Sequence, residues 1–273
     1  MIVEFWGTRS LIPLAASLPS TFGGNTSCVC LREADKVLAI FDCGTGVIPL
    51  GRTANMSSAA KTHFFISKFS WDRIQGLLFL NPLFRPNFQA HFYGPKVEPH
   101  SLESLLTEQM RSEFFPVQFQ DLPCQRHFHY YTWASAQPSR IQTADLPDAN
   151  IAALKLHQHQ PISAFKWKQQ NTSLAYAVHI DWNSPYPALD ALADFLRDLQ
   201  LLITNLPDTK LAWQNFWRYQ QLAHPLTTIF SDFSPFASDA DIVAALQQAQ
   251  AQIGSFNSRG TLSAAHARQK VQL

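Results

Sequence analysis

Two His-x-His pairs, His127/His129 and His157/His159, have the residue types and spacing for metal chemistry. On an extended strand, side chains two apart share a face, so each pair would present two imidazoles to one ion. With His179 or Asp181 as a third donor, His157 and His159 would make a displaced metal site. Neither pair has a carboxylate at clear ligand spacing, and an isolated His-x-His is a weak signal. The four cysteines, Cys28, Cys30, Cys43 and Cys124, include no Cys-x-x-Cys pair, which argues against a zinc knuckle or a thioredoxin-type site. They are expected to be buried free thiols. Gly44-Thr45-Gly46 lacks the Lys-Ser/Thr of a phosphate loop, and no Gly-x-Ser-x-Gly nucleophile elbow exists.

The elements that must position these residues change character along the chain. Ile2 to Trp6, Ser27 to Leu31, Val37 to Phe41 and His63 to Ile66 are short, β-rich and separated by glycine or polar breaks. Leu102 to Met110 has a helical apolar stripe. Strands are expected at Phe128 to Trp133, Ala152 to Leu156, Ala164 to Lys168 and Ser173 to Val178. The last third alternates helix and strand. Leu189 to Gln200 and Trp213 to Leu222 read as helices, and Leu201 to Thr204 and Thr227 to Phe230 as strands. Ser238 is placed to cap a helix carrying Ile242, Val243 and Leu246. Strands first and β-α alternation later predict a layered α/β architecture.

Composition narrows the function classes. With 273 residues, 46% of them hydrophobic, the chain can bury a full core, and disorder is excluded as its main state. The formal net charge of +1 gives no electrostatic case for nucleic acid or an anionic membrane. No apolar stretch approaches the roughly 20 residues a membrane span needs. The start, MIVEFWGTRS, has neither a basic region nor an apolar run of signal-peptide length, so the expected location is cytoplasmic. The expected organisation is one domain over residues 1–255 and a polar tail over 256–273.

Several ordered blocks carry a family resemblance. EFWGTRSLIPL, FGGNTSCVCL and FDCGTGVIPLG are followed by WDRIQGLLFLNPLF and FFPVQF, and then, more weakly, by QPISAFKWK, LAYAVHID and TIFSDFSP. Together they cover roughly residues 1–250. The series resembles the metallo-β-lactamase superfamily, in the phosphodiesterase-like branch related to ribonuclease Z. The resemblance implies an α/β fold, a four-layer αββα sandwich with its site at one edge between the two sheets. It also implies that a homodimer is common.

The hallmark of that family is a His-x-His-x-Asp-His run, in which imidazoles and carboxylates hold two zinc-class ions that generate hydroxide. By the resemblance, Lys68, Ser70, Asp72 and Arg73 stand at those positions, and only Asp72 is retained. Gln160 stands where a His-Pro histidine is expected, His179 where a bridging aspartate is expected, and Asp232 near the last histidine. Lysine and arginine are protonated at neutral pH and offer no lone pair to a metal. At an effective dielectric of about 20, each unit charge near 4 Å would cost roughly 4 kcal/mol per unit of ion charge.

The expectation is therefore a chain of this fold that has lost its metal centre: no metal, no cofactor, and not an enzyme. It would bind a small anionic, phosphate-containing ligand or a protein partner, through Lys68, Ser70, Asp72, Arg73, Gln160, His179 and Asp232. The partner would be its own copy or an active paralogue. The alternative use of the charges is internal pairing of Lys68 and Arg73 with Asp72 and Asp42. The rival function is a hydrolase with a relocated metal site built from His157, His159, His179, Asp72 and Asp232. Phe64, Phe65, Phe69, Trp71, Phe79, Phe84 and Phe88 crowd the same region and are expected to be mostly core. Any that are exposed would mark a partner surface.

Overall fold

The structure, a computed structural model, describes residues 1–15, 18, 20–133, 137–256 and 260–273, with the side chains of 255 and 256 left aside. The first elements are β1 (Ile2–Gly7), β2 (Cys28–Glu33), β3 (Lys36–Phe41), α1 (Val47–Gly51), α2 (Ala54–Ser58), β4 (Lys61–Phe65) and α3 (Trp71–Ile74). Next come β5 (Gln89–Pro95), α4 (Leu102–Gln109), β6 (Gln125–Tyr131), β7 (Ser139–Ile141), β8 (Ala149–Lys155), β9 (Ser163–Gln169) and β10 (Thr172–Ala177). The chain ends with α5 (Leu189–Phe195), β11 (Leu201–Asn205), α6 (Lys210–Ala223), β12 (Thr227–Ser231), α7 (Asp239–Gln252), β13 (Thr261–Ala264) and β14 (Lys270–Gln272).

The elements group into two compact units. The first holds residues 1–19, 23–132 and 266–272; the second holds 20–22, 133–265 and 273. The first unit is built on a sheet ordered β14-β1-β2-β3-β4-β5-β6. Its early strands are antiparallel and its run from β3 to β6 is parallel. Alternation decides its faces. Cys28, Cys30, Ile40, Phe64 and Phe92 join Val47, Leu50, Leu77, Leu102 and Leu106 in one apolar cluster under the helices. Ser101 caps α4 reciprocally with Ser104, which fixes where that helix begins.

The second unit is built on a sheet ordered β13-β12-β11-β10-β9-β8-β7, parallel from β10 to β13. Leu154, Ala164, Ala175, Leu202, Phe230 and Leu262 pack with Leu192, Phe216, Trp217 and Ile242 of its helices. Ser238 caps α7 in a reciprocal box with Asp241, as the sequence predicts.

Three expectations change. The helix from Leu189 stops at Phe195 rather than Gln200, because Asp198 adopts a left-handed turn (φ 53) that redirects the chain into β11. Within the range read as a polar tail, Thr261–Ala264 forms β13 and Lys270–Gln272 forms β14: Leu262 and Ala264 alternate inward where β13 pairs with β12. The strand β5 has no sequence expectation, since its His91, Tyr93, Gly94 and Pro95 blur the β pattern, yet almost every residue in it is buried. All four cysteines are free and buried, and burial pushes the thiols of Cys28, Cys30, Cys43 and Cys124 upward. They are packing residues rather than nucleophiles. Among the described residues no helix is long and apolar enough to cross a membrane.

Candidate functional site

In the first unit, the candidate residues lie where β4 runs out into α3. Asp42, at the end of β3, takes a left-handed backbone (φ 58), a sparsely populated geometry that recurs at ligand-clamping turns. Its carboxylate accepts from the Ser67 backbone N–H at 2.8 Å and from the Ser67 hydroxyl at 2.7 Å. That pins the first residue of the loop carrying Lys68 and Ser70. Asp72 accepts from the Ser70 hydroxyl at 2.6 Å and from the Leu11 backbone N–H at 3.1 Å. The Ser67 and Leu11 donors are absent from the sequence reading, because a backbone N–H leaves no signature in residue type and a serine hydroxyl does not name the carboxylate it meets.

Arg73 joins the two carboxylates. Its Nε lies 3.1 Å from Asp72 Oδ2 and its Nη1 3.5 Å from Asp42 Oδ2. Arg73 is 1% exposed and Asp42 fully buried. Internal pairing is thus the arrangement found for Arg73. Lys68 differs: it is half-buried and, among the described residues, makes no ion pair. The glycines of the turn are sterically required. A Cβ on Gly76 would lie 2.1 Å from the Gly44 carbonyl oxygen, and one on Gly44 would lie 2.5 Å from that of Asp72. Asn25 accepts from the Thr45 hydroxyl at 3.1 Å, a structural role.

In the second unit, His179 and Asp232 follow the C-terminal ends of the parallel strands β10 and β12. Asp232 is left-handed (φ 63), and His179 Nδ1 lies 3.8 Å from its Oδ2. Gln160 is exposed in the bend between β8 and β9. His157 and His159 do not share a strand face, because β8 ends at Lys155 and both fall in that bend. His157 Nδ1 accepts from the backbone N–H groups of His159 and Gln160, at 3.2 and 3.1 Å. In the neutral ring the proton is then on Nε2, so neither nitrogen has a lone pair free for a metal. Among the described residues no group of three His, Cys, Asp or Glu side chains is arranged to hold a metal ion.

No protein family profile matches the sequence, and no curated protein matches it. Solved structures match it over its whole length. The short form of human tRNase Z superposes with a TM-score of 0.65 at 16% identity, covering 100% of this chain and 99% of its own. The metallo-beta-lactamase fold protein YhfI from Bacillus subtilis gives 0.63 at 14%, covering 99% and 98%. Unliganded yeast PDE1 gives 0.65 at 10%, covering 100% and 99%. The chain has the metallo-β-lactamase fold.

The metallo-β-lactamase fold is the class expected from the sequence. At its hallmark positions, however, the residues of the first unit do not fit a divalent ion. The Asp72 carboxylate is taken by Ser70, Leu11 and Arg73, and the Arg73 guanidinium has no lone pair to offer an ion. The aromatic expectation divides. Phe64, Phe65 and Phe88 are core, whereas Trp71 is 55% exposed, Phe79 54% and Phe84 40%.

Proposed function

We propose that this chain is a metallo-β-lactamase-fold protein of the phosphodiesterase-like, ribonuclease Z-related branch that works by binding rather than by metal-assisted hydrolysis. The observation that supports this reading is the Arg73 guanidinium, buried against Asp42 and Asp72 where a ligand histidine would stand. A guanidinium held there cannot ligate, and its charge opposes a divalent ion. Lys68, five residues before it and in no ion pair among the described residues, is the group that takes a small phosphate-containing anion. Ser70, Asp72 and Arg73 orient that loop. Gln160, His179 and Asp232 of the second unit are further candidates, each tested by its own substitution.

The test pairs activity with binding. The purified chain is incubated with bis(p-nitrophenyl) phosphate, with and without added zinc or manganese, and its melting is followed with inorganic phosphate, pyrophosphate and AMP. The expected result is no hydrolysis, and a saturable rise in melting temperature with a phosphate-containing compound that Lys68→Met abolishes. Metal-stimulated hydrolysis that survives Lys68→Met would overturn the reading, as would the absence of any saturable shift.

A second reading is favoured by the exposed Trp71, Phe79 and Phe84. Phe79 also packs edge-on against Phe115, with ring centroids 5.7 Å apart, and the neighbouring Phe114 is 77% exposed. We propose that these side chains meet a protein, a second copy of this chain or a paralogue. Sedimentation equilibrium of the wild type and of Trp71→Ser/Phe79→Ser decides it: self-association lost in the variant supports a homodimer, and two monomers exclude it.

A further inference from the structure

A cavity of about 420 Å³ lies in the first unit beside β14, β1 and β2, and Leu50 of α1 and Asn55 of α2 close its other side. None of the residues lining it belongs to the hallmark loop. Its volume falls within the roughly 300–1,000 Å³ of small-molecule sites. The antiparallel register sets Glu4 opposite Lys270, and Trp6, two residues on, shares the face of Glu4.

The charges around this cavity do not balance. Arg32, Arg268 and Lys270 line it against two carboxylates, Glu4 and Asp35, which leaves one net positive charge. Glu4 is buried and already engaged: it accepts from Arg32 Nε at 2.8 Å and from Trp6 Nε1 at 3.1 Å. Lys270 Nζ lies 3.5 Å from the same carboxylate but is mostly exposed, so its ammonium has donors to spare. Arg268 is in no ion pair among the described residues. Its guanidinium carbon lies 5.8 Å from the centre of the Trp6 ring. A guanidinium resting on an aromatic ring keeps the N–H groups at its edge for an anion.

The backbone fixes where Arg268 starts. Its φ of 62 is a left-handed conformation that residues other than glycine seldom adopt, and its N–H donates to the Phe5 carbonyl at 2.6 Å. The side chain therefore leaves from a point tied to β1. Sparsely populated backbone of this kind recurs where a ligand is clamped.

We propose that this cavity binds a small organic oxyanion carrying two or more negative charges. Arg268 takes one carboxylate or phosphate group through its forked donors, and Lys270 takes a second. The Asn55 carboxamide donates to the same ligand, and the Trp6 indole lies against its carbon skeleton. Arg32 stays with Glu4 as the fixed floor of the site. Asp35, in no ion pair among the described residues, is the one like charge that the ligand meets.

The test is isothermal titration calorimetry of the whole chain carrying Lys68→Met, so that the anion site proposed on the hallmark loop contributes no heat. The probes are citrate, which offers carboxylates alone, and glycerol phosphate, which offers a phosphate ester. The expected result is saturable binding of at least one of them, one per chain, and the stronger probe names the ligand's charged group. Arg268→Gln and Lys270→Gln, both at exposed positions, each weaken binding about tenfold or more. Asp35→Asn tightens it severalfold by removing the like charge. Lys96→Gln, an exposed cation outside the cavity, leaves it unchanged and so separates a site from a general charge effect. Circular dichroism melts confirm that each variant is folded before its titration is read. Absence of saturable binding of both probes would overturn the proposal, and so would an affinity that Arg268→Gln and Lys270→Gln leave intact.

Discussion

Arg73 Nε stands 3.1 Å from Asp72 Oδ2, inside the loop where the sequence resemblance places expected metal ligands. The same guanidinium reaches Asp42 at 3.5 Å, so one buried cation serves two carboxylates. Removing one partner of a buried pair leaves the other charge uncompensated. Arg73→Met is expected to destabilise the chain by about 3–5 kcal/mol in urea unfolding. Asp42 keeps its two Ser67 donors, so the double variant Arg73→Met/Asp42→Asn should recover part of the loss. A single variant as stable as the wild type would remove Arg73 from any structural role.

Restoring the histidines should not restore the centre. Lys68→His, Ser70→His and Arg73→His together rebuild the hallmark run in one unit only. By the resemblance, Gln160 and His179 still stand where a histidine and a carboxylate are expected, and replacing Arg73 removes the guanidinium that lies 3.5 Å from Asp42. The triple variant is expected to contain no bound zinc after dialysis. Two ions per chain would show that the loop alone determines the site.

How far the sequence carried this picture depends on the residue in question. The ordered blocks around Gly7, Gly44, Asp72 and Gly76 were legible because each encodes a steric or electrostatic necessity at fixed spacing. A Cβ on Gly76 would clash with the Gly44 carbonyl, so the turn requires glycine there. The pairing of Arg73 with Asp42 was open from sequence, since charge opposition names partners without choosing among them. The bonds from Ser67 and Leu11 to the two aspartates were invisible: two are backbone donations, and the third joins the Ser67 hydroxyl to a carboxylate 25 residues away. The His63–His91–His127 row was hidden for a different reason. Only the His-x-His on β6 shows in the chain, and parallel register brings the rest together from residues far apart in sequence.

Glu4 anchors the opposite end of the first sheet. Burial pushes its carboxyl up, but hydrogen bonds from Arg32 and Trp6, with the charges of Arg32 and Lys270, outweigh burial and hold it below the usual carboxylate range. Arg32 Nε donates at 2.8 Å and Trp6 Nε1 at 3.1 Å. A carboxyl depressed on folding contributes stability above its unfolded pKa of about 4.3 and loses it as pH falls through the lower folded value. Glu4→Gln is expected to cost about 2–3 kcal/mol at pH 7, and progressively less below pH 4. Urea unfolding of both proteins at pH 7 and pH 3 measures this, and an equal gap at the two values would count against it.

Lys166 gives the converse case on the alkaline side. Burial, followed by the charge of Lys168, lowers its ammonium from 10.5 to about 8, although Nζ donates to the Phe195 carbonyl and lies over the Phe195 ring. Between pH 8 and 10.5 the unfolded chain holds a proton there that the folded chain has released. The unfolded state binds more protons, so this residue makes stability rise with pH across that window. Lys166 is partly exposed, and solvent screening limits the rise to about 1–2 kcal/mol. Lys166→Met carries no proton in either state and should lack the rise. It is expected to be the more stable protein at pH 7 and to lose that advantage by pH 10.5. Thermal unfolding of the two proteins at half-unit steps from pH 7 to pH 10.5 measures the difference. If the two melting curves stay parallel over that range, Lys166 is not desolvated in the folded chain.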